Sequence, residues 1–220
     1  MNMTVLTRDT IDILQNFATI NNSIVIKPGK AINTLSVNKN ILASADVEEV
    51  FDRQIAIYDL GSFISSTRFF DDPKLVTDNE SYVTITERSN NRKRAKFYYA
   101  DPDIIVQPPD KEIQLPSVDV TFELTGHDLK QLLAASATYR APDLCVFGDG
   151  ETINLCITDK KNDTSNTYSI EVGKTEQEFC YCFKVENLRI IPRNYTVSIS
   201  KSNVAYFDGG SIRYWIALEP

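Results

Sequence analysis

Three acidic pairs, Glu48-Glu49, Asp71-Asp72 and Asp101-x-Asp103, are the residues best able to do chemistry, because adjacent carboxylates can hold magnesium for phosphodiester cleavage. Each adjoins proline or a turn-like context, and none has a lysine or histidine at a recognisable spacing, so a nuclease is the weaker reading. His127 is the single histidine, which removes any mechanism that needs a histidine pair. No glycine-rich phosphate loop, His-Glu-x-x-His or Gly-x-Ser-x-Gly occurs. The four cysteines, Cys145, Cys156, Cys180 and Cys182, lie in apolar, strand-like runs without a Cys-x-x-Cys. They read as buried free thiols rather than a zinc site. The expectation is a protein that is not an enzyme and needs no metal or cofactor.

Charge points the same way. The net charge of −7 over 220 residues argues against a chain that coats nucleic acid over its whole surface, though a local basic face remains open. One run stands out, Arg88 to Lys96, with Arg88, Arg92, Lys93, Arg94 and Lys96 around Ser89-Asn90-Asn91. It reads either as a nucleic-acid patch or as the turn of a hairpin between Tyr82 to Thr86 and Arg94 to Ala100. No window approaches a membrane span, and the N-terminus lacks a signal-peptide run, so a cytoplasmic protein is expected.

The elements that must position these residues repeat. Leu6-Thr7-Arg8-Asp9-Thr10-Ile11 supplies a staple, an N-cap and an acidic first turn, followed by an apolar stripe of Ile11, Leu14, Phe17 and Ala18. Leu124-Thr125-Gly126-His127-Asp128-Leu129, then Leu132 and Leu133, repeats the pattern. Ser23 to Ile26 with Ala31 to Val37 reads as a hairpin, as does Leu144 to Phe147 with Thr152 to Thr158. Gln54 to Phe63 and Phe179 to Leu188 each run from a strand into a short helix. Further strands are read at Lys74 to Val76, Thr167 to Val172, Tyr195 to Ser200, Val204 to Phe207 and Ile212 to Leu218. The fold class is therefore α+β with duplicated halves and four helices.

Between the halves lies Asp101 to Ser117, where Pro102, Pro108, Pro109 and Pro116 forbid a helix or a central strand. The domains expected are 1–100, a connector at 101–117, and 118–220. Open sheets leave edge strands to be hidden, and two duplicated halves can hide them by pairing head to tail with neighbouring copies.

Several motifs in register, Asn16-Phe17-Ala18-Thr19-Ile20-Asn21, Ala56-Ile57-Tyr58-Asp59-Leu60, Ala100-Asp101-Pro102, Asp128 to Leu133 and the closing Ala217-Leu218-Glu219, resemble the DNA polymerase sliding clamps of T-even-type bacteriophages. The resemblance implies the DNA-clamp fold: a homotrimeric ring with sheets outside and helices facing a central channel that takes double-stranded DNA. It implies an ATP-dependent clamp loader, tethering of the phage DNA polymerase, and late-transcription factors on the host RNA polymerase as partners. The setting is the cytoplasm of the infected bacterial host. On this frame Arg8, Arg68, Lys130, Arg140, Arg189 and Arg193 are the DNA-facing candidates. The pore faces are His127, Lys130, Ala134 and Thr138 on the third helix and Ser62, Ser65 and Phe69 by the second. Arg92, Lys93, Arg94, Lys96 and Tyr98 would meet Tyr168, Ile170 and Glu171 of the next subunit, the basic run reaching Asp163, Glu171 or Glu176. Ile104, Ile105, Val106, Leu115 and Leu218 are the candidates for receiving partner tails, the alternative being that the connector residues only seal the domain junction. The competing function is a β-rich oligomeric structural or scaffold protein of a virus that does not encircle DNA.

Overall fold

Two threonines open the two long helices, as the sequence predicts. Thr7 Oγ1 accepts from the Thr10 amide at 3.2 Å, and Thr125 Oγ1 accepts from the Asp128 amide at 3.1 Å. Each satisfies an amide that the first turn leaves without a helical partner. The computed structural model describes residues 3–89, 92–111 and 113–219, and the chain divides into two compact units, Met1–Asp110 and Lys111–Pro220.

The first unit runs β1 (Met3–Val5), α1 (Arg8–Ile20), β2 (Ile24–Ile26), β3 (Gly29–Leu35), β4 (Ile41–Phe51), β5 (Ile55–Ile57), α2 (Leu60–Thr67), β6 (Pro73–Val76), β7 (Tyr82–Glu87) and β8 (Arg94–Tyr98). The second runs β9 (Val120–Leu124), α3 (Gly126–Tyr139), β10 (Asp143–Asp149), β11 (Thr152–Thr158), β12 (Tyr168–Lys174) and β13 (Glu178–Lys184). A 3-10 turn at Val185–Asn187 follows, then β14 (Tyr195–Ser200), β15 (Val204–Asp208) and β16 (Ile212–Ala217). Element for element the order is the same. The pairings repeat too: β1-β6-β7-β8 matches β9-β14-β15-β16, β2-β5 matches β10-β13, and β3-β4 matches β11-β12. In the second unit β12, β11, β10 and β13 make one continuous antiparallel sheet.

The structure corrects four sequence expectations. The fourth helix is only the 3-10 turn Val185–Asn187, so the described residues hold three α-helices. The cause lies at its first position. In α2 Asp59 caps the helix by accepting from the Ser62 amide at 2.9 Å and the Ser62 hydroxyl at 2.6 Å, whereas Lys184 stands in that place and makes no side-chain cap. Its ammonium instead reaches the buried Asp143 carboxylate at 2.5 Å, a contact that raises the Lys184 pKa, and Pro192 discourages helix in the residues before it.

Second, β2 and β3 are not a hairpin, since β2 pairs with β5 and β3 with β4. The long strand β4 is absent from the sequence reading, although Ala43, Ala45, Val47, Glu49 and Phe51 alternate inward along it. Third, the apolar stripe of α1 is turned: Ile13, Leu14, Phe17 and Ile20 are buried, while Ile11 and Ala18 are only half-buried. Fourth, Cys145 and Cys182 are not free thiols but a disulfide, and Cys180 is exposed. The tip of the expected Ser89-Asn90-Asn91 turn, Asn90-Asn91, lies outside the described residues.

Carboxylates hold several turns. Glu49 is buried on β4 and accepts from the Thr7 amide at 2.5 Å and the Thr10 hydroxyl at 2.6 Å, placing negative charge at the positive end of α1. Asp59, Asp119 and Asp149 are held below the ordinary aspartate value of 3.8, chiefly by the Ser62 hydroxyl, the Ser117 hydroxyl and the Thr152 amide respectively. A depressed folded pKa stabilises the native state above the unfolded value and loses that contribution as pH falls through the folded one. Urea midpoints are therefore expected to hold steady down to about pH 5 and to fall below about pH 4. A midpoint that rises on acidification would contradict these assignments.

Candidate functional site

The expected pore faces are exposed helix faces. His127, Lys130, Ala134 and Thr138 are all exposed on α3, opposite the buried Leu129 and Leu132. Ser62 and Ser65 on α2, and Phe69 just beyond it, are exposed likewise. Burial of one apolar stripe fixes which side each helix shows to water.

The six basic candidates fall into three settings. Arg8, at the start of α1, and Arg68, the C-cap of α2, line one open cleft of about 830 Å³ with Arg88. Asp12, Asp71 and Asp72 line it too, so these cations are offset by carboxylates. Lys130 and Arg140 are exposed on and just after α3. Arg140 sits at φ 55° in the left-handed region, where its amide still bonds to the Ser136 carbonyl and ends the helix. Arg189 and Arg193 belong to the loop after the 3-10 turn.

That loop is tightly held. Tyr195 and Tyr214 are the largest fully buried side chains. Tyr195 donates its hydroxyl to the Ile191 carbonyl at 2.5 Å, and the Tyr214 hydroxyl accepts from the Ile191 amide at 3.3 Å. Burial raises both phenol pKa values. At Gly126 an added Cβ would meet the Arg193 backbone at 3.1 Å, so glycine permits the close approach of this loop to the start of α3. Asn194 Oδ1 accepts from the Gly126 amide at 2.9 Å. Arg189 donates from Nε to the Glu186 carbonyl at 2.9 Å. The loop therefore brings Arg193 beside the first turn of α3.

The edge strands carry the other cluster. β8 ends the β1-β6-β7-β8 sheet and β12 ends the β12-β11-β10-β13 sheet. On β8 Arg94, Lys96 and Tyr98 are exposed, alternating with half-buried Ala95 and Phe97. Arg92 and Lys93 are exposed just before it. Lys93 pairs with the buried Glu87 at 3.0 Å, and Lys96 lies over the Tyr82 ring at 4.5 Å from its centre. On β12 Tyr168 and Ile170 are half-buried and Glu171 is exposed. Tyr168 donates to Gln131 Oε1 at 2.9 Å, and Glu171 pairs with Lys174 at 2.8 Å. Part of the charge expected to cross between subunits is thus already used within one chain.

The connector candidates separate. Ile104 is 62% exposed, whereas Ile105 is 5% exposed and packs with Val25 and Ala56, joined by Ala100. Val106 and Leu115 are half-buried. Asn21 Nδ2 donates to the Val106 carbonyl at 3.5 Å, and Lys27 pairs with Asp110. Leu218 is buried. Ile105 and Leu218 are corrected accordingly: both are core residues, and neither offers apolar surface to a tail. Their strand and connector context looked alike in sequence, and only packing distinguishes Ile104 from Ile105.

Two of the acidic pairs each have a member in a structural role. Glu49 holds the start of α1, and Asp101 caps the short turn Pro102–Ile104 by accepting from the Asp103 amide at 3.0 Å.

Residues 7–107 match the family described as DNA polymerase processivity factor, and residues 121–220 the family described as gp45 sliding clamp, C terminal. A sliding clamp of Vibrio phage KVP40 is 37% identical over 97% of this chain and 98% of its own length. A sliding clamp of Enterobacteria phage T4 is 30% identical over 97% of this chain and 96% of its own. Among solved structures, PCNA from Thermococcus kodakaraensis superposes with a TM-score of 0.73 at 12% identity, over 99% of this chain and 100% of its own. The proliferating cellular nuclear antigen of Entamoeba histolytica gives 0.67 at 10% identity, over 96% and 94%. At such identities the likeness establishes a shared clamp fold.

The connector geometry gives a direct test. Ile105→Ser should cost about 2–5 kcal/mol in urea unfolding, because it removes buried apolar volume and strands a hydroxyl, whereas Ile104→Ser should stay within about 0.5 kcal/mol. Equal effects at the two positions would contradict the packing.

Proposed function

This chain belongs to the sliding-clamp family of DNA polymerase processivity factors, and we propose that it works as a homotrimeric ring around duplex DNA that tethers a phage replicative polymerase. The observation that carries the ring is the pair of open edges. β8 in one copy pairs with β12 of the next, each giving the other the backbone partners that its own sheet lacks. The contact is head to tail, so repetition closes a ring when the rotation per subunit is a third of a turn. Charge complementarity supports the match: Arg92, Lys93, Arg94 and Lys96 lie at or on β8, while Glu171 is on β12, with Asp163 and Glu176 flanking it. Tyr98, Tyr168 and Ile170 supply the apolar part of the seam.

In this ring the helices face the channel and the sheets form the wall. Arg8, Arg68, Lys130, Arg140, Arg189 and Arg193 meet phosphates as they pass. The carboxylates beside Arg8 and Arg68 keep that attraction weak, which suits sliding, since strong phosphate contacts would hold the ring in place. Binding carries no sequence information and requires no catalysis. Tethering acts through effective concentration: a polymerase attached to a ring that cannot leave the template rebinds its primer end before diffusing away. Ile104, with half-buried Val106, is the apolar surface for the polymerase tail.

A closed ring needs an ATP-dependent loader to open it on DNA, and we place both in the cytoplasm of an infected bacterium. The same tail-binding surface serves late-transcription factors on the host RNA polymerase.

Reversing the charge of Arg92, Lys93 and Arg94 together should weaken assembly by at least about 10-fold in dissociation constant, moving the sedimentation-velocity peak from trimer toward monomer. An unchanged trimer would remove β8 from the interface. A wild-type protein that stays monomeric at high concentration would remove the ring.

A further inference from the structure

All four cysteines lie on one face of one sheet and three of them cluster there, an arrangement that their sequence spacing hides. Cys145 on β10 is directly opposite Cys182 on β13 and directly opposite Cys156 on β11. Cys180 precedes Cys182 by two residues on β13, and side chains two apart on a strand point to the same face. The alternate residues of these strands, Leu144, Val146, Leu155, Ile157 and Phe183, are buried in the core, so the cysteines occupy the opposite face. The sulfurs of Cys145, Cys180 and Cys182 lie within 4.8 Å of one another. Cys156 is set apart, with its thiol directed at the Ile157 carbonyl at 3.6 Å.

We propose that Cys145, Cys180 and Cys182, once reduced, form a three-thiolate site for a thiophilic divalent cation, zinc in the first instance. The disulfide between Cys145 and Cys182 is the oxidised state of that site. A dithiol reductant takes the sulfur–sulfur bond apart by exchange: it closes to its own cyclic disulfide and leaves two protein thiols. Metal binding then releases three thiol protons as three sulfur–metal bonds form.

The geometry suits this ion. Zinc–sulfur bonds of about 2.3 Å in a tetrahedron place sulfurs roughly 3.8 Å apart, which is within the spread of this cluster. The scaffold is already built, because β10 and β13 are laddered through Cys145, Phe147, Cys180 and Cys182 whatever the state of the sulfurs. Cys145 is buried and Cys180 exposed, so the site has a protein floor and an open side. The fourth position faces water and accepts a water molecule or a small external thiol. Cys156 stands outside the ligand set, which separates this site from a general affinity of exposed thiols for metal.

The test uses full-length protein reduced with dithiol, freed of it by gel filtration without oxygen, and mixed with zinc alone or cadmium alone. About one zinc per chain should survive a second gel filtration, and cadmium should produce thiolate charge-transfer absorbance in the ultraviolet. Cys180→Ser, which leaves the disulfide pair intact, should weaken zinc binding at least about 10-fold, whereas Cys156→Ser should bind within about twofold of wild type. Reduced wild type that retains no zinc would overturn the proposal. So would a Cys180→Ser protein that binds like wild type, because the pair Cys145 and Cys182 would then act alone.

Discussion

Two sheet edges set the constraint on which the rest of this structure depends. β8 and β12 each finish a sheet with backbone donors and acceptors that no further strand of that sheet takes up. In water such a row recruits another strand, and a protein that leaves one open must either charge it or cover it. Here β8 is charged, by Arg94 and Lys96, and in the proposed ring a second copy of the chain covers it. The duplicated topology makes that solution economical. In the proposed ring one chain carries both halves of a heterologous contact, so a single pairing rule closes the assembly without a second protein.

Several carboxylates here are structural. Glu49 satisfies two donors at the start of α1, Asp59 caps α2, and Asp143 anchors both the Lys160 amide and the Lys184 ammonium. Removing water from a carboxylate is costly unless its oxygens accept hydrogen bonds, and the buried Glu49 and Asp143 are so supplied.

Much of this was legible in the residues. The Thr7 and Thr125 caps, the repeat that follows them, the exposed face of α3 and the proline-rich connector are local signals, written in adjacent residues. What escaped reading was tertiary. β4 carries Glu48 and Glu49 in a strand, so its alternation was masked by polar residues, one of which turns inward to serve α1. The fourth helix shrank to a 3-10 turn because Lys184, a donor with no acceptor atom, stands where Asp59 caps α2. The cysteines meet only through the register of three strands, which no spacing rule reports. Ile104 and Ile105 are chemically identical neighbours, and only the packing of Val25 and Ala56 against one of them tells core from surface.

The central claim is topological, that the assembled protein holds DNA by surrounding it. Its most direct measurement loads the protein onto nicked circular DNA with clamp loader and ATP, isolates the complex, and then cuts the circle once. Encirclement predicts that the protein stays on the circle and is lost when the DNA becomes linear. Retention that is indifferent to the cut would contradict the account and leave ordinary surface binding in its place.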